Sequence, residues 1–283
     1  MPAVSVVIPA FNEEGGIARQ VRDLERVLAE SGWDWELQVV DDGSTDGTAR
    51  AAEEAGARVA RLGRNQGYGA ALKAGIRATR GEWILITDAD GTYPASAVPG
   101  LLREAAGADM IVGARVTARM HTPALRRPAR WMLRWYAGLL VRRRIPDLNS
   151  GMRLMRRESV ERFWDLLPWG FSFTSTITLA MMASGRAVKY APIDYLARVG
   201  KSKIRPADFF RMFAQITRVM LQFYPRRVVW LWSAALWACA TALLWPLGAA
   251  AAVASSGILC ALCGGLAGSR LEGRARLARG RLP

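Results

Sequence analysis

The stretch Ile84–Gly91 reads ILITDADG. A short apolar run breaks off in two carboxylates, Asp88 and Asp90, with one alanine between them. Such a run suits a strand buried on both faces of a parallel sheet. In open α/β sheets, ligands sit beyond the carboxyl ends of the strands. Two acids just past such an end are therefore placed where a ligand would be.

Working outward, the same texture recurs. VSVVIPA (4–10), WELQVVDDGS (35–44), ARVARLG (57–63), EWILITDADG (82–91) and ADMIVGAR (108–115) read as strands. Between them, residues 14–30 place Ile17, Val21, Leu24 and Leu28 on one helical face, and 45–56 and 68–81 also read as helices. Alternation of strands and helices predicts an α/β fold with a mostly parallel sheet. Two further acidic signals fall at predicted strand ends, Glu13 in PAFNEE and the pair Asp41 and Asp42 in VVDDGST. Five acids at one rim repel each other unless a cation or hydrogen-bonded ligand lies among them. An Asp-x-Asp pair offers hard oxygens to Mg2+ or Mn2+, which in turn grips a diphosphate.

The charge is divided. Residues 1–114 carry 11 Lys and Arg against 17 Asp and Glu, a net of −6; residues 115–283 carry 28 against 7, a net of +21. A basic half suits nucleic acid, anionic lipid or a phosphorylated substrate. The C-terminal part favours lipid. Residues 228–269 hold 42 positions without a charge, enough for two short crossings at ~20 residues each, with Pro246 and Gly248 at the expected turn. Arg226 and Arg227 precede this run and Arg270, Arg274, Arg276, Arg279 and Arg281 follow it, so the positive-inside rule places both ends in the cytoplasm. MPAVSVVIPAF has no basic n-region, and the catalytic mass is expected on the cytoplasmic side of a cell membrane. Cys239, Cys260 and Cys263 all fall in the apolar run and read as small apolar residues, since no second pair or histidine accompanies the C-x-x-C. Segment 119–144 threads eight arginines with Trp131, Trp135 and Tyr136, and 208–227 puts Phe209, Phe213, Ile216, Met220 and Phe223 on one stripe. Both are expected to be interfacial amphipathic helices, the alternative being helices that cover the core. The expected domains are 1–204 (catalytic, with a basic segment over 115–150), 205–227 (interfacial helix), 228–269 (helical hairpin) and 270–283 (basic tail).

VSVVIPAFNEE, VVDDGSTDGT, NQGYGAALKAGIRATRGEWILITDADG and GAR resemble the inverting family 2 glycosyltransferases, which have the GT-A Rossmann-like fold. DLNSGMRLMRRE, GFSFTSTITLAMM and PIDYLARVGKSKI are similar to the polyprenyl-phosphate branch typified by dolichol-phosphate mannose synthases. The resemblance covers about residues 1–227 and implies residue roles. Pro9, Phe11 and Glu13 would lie against base and ribose, as would Asp41 and Asp42. Asp88 and Asp90 would hold the metal and donor diphosphate. Arg115 would grip the acceptor phosphate, with Arg126, Arg127 and Arg130 as unranked candidates for a second contact. Arg198, Lys201 and Lys203 of RVGKSK would close over the departing diphosphate. Thr92 stands where mannose synthases commonly have Gln, which leaves nucleotide and sugar open among GDP-mannose, UDP-glucose and an N-acetylhexosamine nucleotide.

The implied reaction is inverting hexosyl transfer from a nucleotide sugar to a polyprenyl monophosphate. The lone His121 is not needed as a base, because the acceptor phosphate is already anionic near pH 7. Transfer to a glycan or protein, or a silent membrane scaffold, are the rival readings; the intact acids and RVGKSK argue against the scaffold. No nucleic-acid motif accompanies the charge, and no G-x-G-x-x-G follows the first strand, which excludes a Rossmann dehydrogenase. Oligomeric state is left open.

Overall fold

The computed structural model of the chain describes residues 3–115, 127–170, 172–197 and 207–244. Seven strands form one sheet: β1 (Val4–Ala10), β2 (Trp35–Asp41), β3 (Arg58–Arg61), β4 (Trp83–Ile86), β5 (Met110–Ala114), β6 (Arg153–Arg156) and β7 (Val188–Pro192). Their order is β3-β2-β1-β4-β6-β5-β7. All pairs are parallel except those of β6, which runs antiparallel to both β4 and β5. The mostly parallel α/β sheet is thus as expected. β6 and β7 are additions, since RLMR and VKYAP lack the apolar runs that mark the inner strands.

Every residue of β1 is buried, and its neighbours divide between two layers. Val6 and Ile8 pack with α1 (Glu14–Ala29), α2 (Thr48–Glu54) and α4 (Val98–Arg103). Val7 packs with α3 (Tyr68–Ala78), α5 (Arg127–Val141), α6 (Arg157–Arg162), α7 (Phe173–Ala183) and α8 (Ala207–Phe223). Alternate side chains of a strand point to opposite faces, so one strand feeds both cores. α1 shows why burial decides. Its N-cap, Glu13, makes no side-chain capping bond, a deficit of about 1 kcal/mol. Ile17, Val21, Leu24 and Leu28 are wholly buried, and each contributes about 1.5–3 kcal/mol. In α3, Gly75 is required by close approach, because a Cβ there would meet Val7 and Val40 of the sheet.

Two expectations about the helices change. The 119–144 segment is described from Arg127 as α5, a two-faced helix: Leu133, Tyr136, Ala137 and Leu140 enter the core, while Trp131 and Trp135 are more than half exposed. The 208–227 stripe faces protein. Ile216, Met220 and Phe223 are buried in the core, with Phe209 and Phe213 packed against it, and Phe210 is the exposed aromatic. A 3.6-residue stripe reports a buried face and does not say in what medium. The charge-free run begins on α9 (Pro225–Leu244). Among the described residues no helix is long and apolar enough to cross a membrane. The expected turn, second crossing and basic tail lie outside them, as do Cys260 and Cys263; Cys239 is exposed.

Candidate active site

The topology gathers the predicted acids. β1, β2, β4, β5 and β7 run the same way, so their carboxyl ends share one rim. Because β6 is antiparallel, the segment entering it, residues 146–152, reaches the same rim.

On one side of this rim lie the residues expected against a nucleoside. Pro9 is buried in β1 opposite Val40, and Ala10 pairs with Asp41. Phe11 and Glu13 are half-buried just beyond. The loop is fastened to the one after β2: the Asn12 and Glu13 amides donate to Ser44 Oγ (2.9 Å) and Thr48 Oγ1 (2.8 Å). Asp41 accepts from the Ser44 amide at 3.1 Å. Asp42 is buried, and both its oxygens take backbone donors, Gln66 N–H at 2.7 Å and Gly67 N–H at 2.8 Å. Burial raises its pKa above the ordinary carboxylate value despite those bonds. Asp42, expected at base and ribose, thus holds the β3–α3 loop in this structure.

Asp88 and Asp90 follow β4 as expected, and each is aimed by a hydroxyl. The Tyr68 phenol donates to Asp88 Oδ1 at 3.0 Å. Burial, then the Asp88 charge, holds that phenol protonated well above its ordinary range. Asp90 is 1% exposed, and its Oδ1 accepts from Thr92 N–H (3.1 Å) and Thr92 Oγ1–H (2.6 Å). The residue that departs from the mannose synthase pattern therefore orients the second aspartate. Gly151 closes the cradle: a Cβ there would lie 2.6 and 2.7 Å from the Asp88 oxygens. Among the described residues no three His, Cys, Asp or Glu side chains gather as a metal cage. Two pre-aimed carboxylates without a third ligand fit Mg2+ or Mn2+, which commonly take one or two carboxylates and complete their shell with substrate phosphates and water.

Across the rim from these acids stands a cationic cluster. Arg115 follows β5 and forks onto Asp147: its Nε and Nη2 donate at 2.7 and 2.8 Å, and its backbone N–H at 3.1 Å. The pair is buried, with side chains 8% and 7% exposed. Burial pushes the Asp147 carboxyl up, but the Arg115 bonds and charge outweigh it and hold it below the ordinary range. Arg130 on α5 joins the cluster. Burial lowers its pKa, and Arg115 lowers it further. Of the three arginines left unranked by the sequence, Arg130 lies close enough to Arg115 to feel its charge; Arg126 and the side chain of Arg127 lie outside the described residues. Tyr195 stacks under the Arg115 guanidinium at 5.1 Å. Arg198, Lys201, Lys203 and His121 also lie outside the described residues.

The Asp147–Gly151 loop joins the two sides, and sequence reasoning missed what holds it. Tyr93 accepts the Gly151 N–H at 2.6 Å. Arg153, wholly buried in β6, donates to the Ser150 and Leu148 carbonyls at 2.8 and 2.9 Å and to Thr178. The sequence offered no signal for it, because RLMR reads as surface. Two of its partners are backbone carbonyls and the third, Thr178, is 25 positions away, so none leaves a mark in the sequence.

An α/β sheet that collects acids at one rim, with one antiparallel strand carrying the opposing loop, has the layout of an enzyme that binds its ligand beyond the carboxyl ends of its strands. The model of the family described as glycosyl transferase family 2 matches residues 5–164, and the chain belongs to that family. It is 32% identical over 208 residues to a dolichyl-phosphate hexose transferase of Haloferax volcanii, covering 72% of this chain and 87% of that protein. It is also 32% identical over 209 residues to the low-salt glycan biosynthesis hexosyltransferase Agl6 of the same organism, covering 72% of this chain and half (50%) of that longer relative. A solved structure of glucosyl-3-phosphoglycerate synthase from Mycobacterium tuberculosis, in complex with Mn2+, UDP-glucose and phosphoglyceric acid, superposes with a TM-score of 0.61 at 23% identity, covering 77% of this chain and 80% of that one. The protein is a glycosyltransferase.

Proposed function

We propose that this enzyme transfers a hexose from a nucleoside diphosphate sugar to a polyprenyl monophosphate at a membrane surface, with inversion. The observation that carries it is the opposition of Asp88 and Asp90 to the Arg115–Arg130–Asp147 cluster across one short loop. Among those three the guanidiniums outnumber the carboxylate by one, so an entering phosphate dianion relieves the Arg115–Arg130 repulsion. Planar guanidinium forks suit phosphate oxygens. The hexose transferase named for dolichyl phosphate, which this chain matches over most of its length, supports the same acceptor class. The exposed Trp131 and Trp135, stacked at 6.3 Å, and the exposed Arg142, Arg143 and Arg144 at the end of α5 support attachment to an anionic bilayer.

The chemistry follows from these charges. The acceptor's second pKa of about 6 leaves an anionic oxygen at neutral pH. That oxygen attacks the anomeric carbon from the face opposite the leaving group, a new C–O bond forms, and the bond to the donor β-phosphate oxygen breaks. No proton need move. Arg130, with Arg115 behind it, holds the nucleophile in line. Arg198, Lys201 and Lys203 are proposed to close over the leaving diphosphate. A divalent cation held by Asp88 and Asp90 would neutralise the charge that develops there. Pro9, Phe11, Glu13 and Asp41 line the base and ribose side. The test is a panel of radiolabelled nucleotide sugars given to membranes bearing the enzyme, with and without added undecaprenyl phosphate. Label appearing in a lipid phosphodiester only with added acceptor supports the reading. Label appearing solely in glycan or protein refutes it.

A further inference from the structure

Tyr68 opens α3 and sits where three unrelated attachments converge. The amides of the two residues before it are held by Asp42 at 2.7 and 2.8 Å. Two residues after it, the Ala70 N–H donates to the Trp169 carbonyl at 2.7 Å. Its own side chain is half-buried and packs against the core beneath α3, and its hydroxyl lies 3.0 Å from Asp88 Oδ1. A tyrosine on a free surface loop would lose rotamer entropy in making that bond; here the backbone and ring are already fixed. Asp88 also meets Gly151, where there is no room for even a methyl group.

We propose that Tyr68 is a positioning residue for the Asp88 carboxylate, fixing the rotamer that presents it to a cation–diphosphate complex. The proposal rests on the reading of Asp88 and Asp90 as the cation-binding pair. The phenol touches neither substrate nor cation; it acts through Asp88. It also ties the two halves of the donor site together. The loop that Asp42 anchors on the nucleoside side is the loop whose next side chain aims Asp88 on the diphosphate side. A carboxylate held this way binds a cation without first losing torsional freedom, and a second-sphere partner of this kind typically accounts for a 10- to 100-fold share of cation affinity. The remaining hold on Asp88 from Gly151 places the expected effect at the lower end.

The experiment compares wild type, Tyr68→Phe, Asp88→Asn and Tyr68→Leu by calorimetry. UDP and GDP are each titrated with Mn2+ present and, separately, with EDTA. Tyr68→Phe keeps the ring and its packing and removes only the hydroxyl. It should weaken Mn2+-nucleotide binding about 5- to 30-fold while nucleotide affinity in EDTA changes less than about twofold. Its thermal midpoint should stay within a few degrees of wild type. Asp88→Asn should abolish the gain that Mn2+ gives. If Asp88→Asn leaves that gain intact, the cation site itself is misassigned. If Asp88→Asn removes it but Tyr68→Phe does not weaken it, Tyr68 is merely structural and the proposal falls. Equal weakening with Mn2+ and in EDTA would also overturn it, since that would make Tyr68 part of the nucleoside wall. Tyr68→Leu guards against a subtle packing change: it should reproduce the Mn2+-specific loss on top of any fall in midpoint.

Discussion

Replacing Asp147 by Asn tests the clamp on which the acceptor side depends. The carboxylate takes three donors from Arg115, at 2.7, 2.8 and 3.1 Å, inside a pair whose side chains are 8% and 7% exposed. An Asn oxygen can keep one fork contact, but the other position becomes an NH2 that faces a guanidinium N–H. Removing one partner of a buried ion pair costs about 3–5 kcal/mol, chiefly because the other charge stays buried without compensation. For a domain of this size that corresponds to a fall in melting temperature of about 6–20 °C. Urea unfolding at pH 7, in detergent if the chain requires it, measures the loss directly. The pH dependence gives a second check. Asp147 has a folded pKa below its ordinary value, so its stabilisation is complete above the unfolded pKa of about 3.9. It disappears as pH falls through the folded value. The difference between wild type and Asp147→Asn should therefore shrink on acidification below about pH 4. Arg115→Met added to Asp147→Asn should recover much of the stability, because the orphaned cation is gone. A loss under about 1 kcal/mol at pH 7, or a double variant no more stable than Asp147→Asn alone, would refute the argument.

Three other outcomes follow from the same geometry. Asp90→Asn should lower turnover at least about 100-fold, and full activity in excess EDTA would remove the cation from the site. Arg130→Ala should depress transfer to polyprenyl phosphate by about 30- to 1000-fold with donor affinity, read by calorimetry, nearly unchanged; an equal fall in both would move Arg130 to the donor side. Gly151→Ala, whose added methyl would lie 2.6 Å from an Asp88 oxygen, should cut turnover by about 10-fold or more, measured at saturating donor, and an unchanged rate would mean that the loop yields freely.

What the sequence made legible is what local periodicity encodes. β1, β2, β4 and β5 are buried apolar runs, and α1 carries its core face at 3.6-residue spacing. The acids were legible because each ends such a run. β6 was not, since Arg153 and Arg156 bracket two apolar residues and the segment reads as surface. β7 was missed for a different reason: it closes the end of the sheet, is only half-buried, and carries Lys189 and Pro192. The ties that orient the site span long separations. Tyr68 and Asp88 are 20 positions apart, Arg115 and Asp147 are 32 apart, and nothing in a single sequence marks such pairs.

The same distinction bears on the basic half of the chain. A net of +21 over residues 115–283 treats every arginine as equal, and the fold does not. Arg115 is neutralised by Asp147, Arg153 is spent on two carbonyls and a threonine, and Arg157 ties the end of α3 to the sheet through Gly81 and Ile76 carbonyls. Arg227, expected to flank a membrane crossing, donates to the Leu140 carbonyl at the end of α5 and lies over Tyr224. These cations hold the protein together and contribute little field outside it. Among the described residues, Arg142, Arg143 and Arg144 form an exposed run of cations in the turn that follows α5, the helix that carries Trp131 and Trp135. α5 also supplies Arg130 to the Arg115–Asp147 cluster. α5 thus presents aromatics outward, is followed at once by exposed arginines, and carries Arg130 toward the Arg115–Asp147 pair. On the proposed reading, a lipid phosphate leaving the headgroup layer along α5 would pass from the outward cations to the inward one.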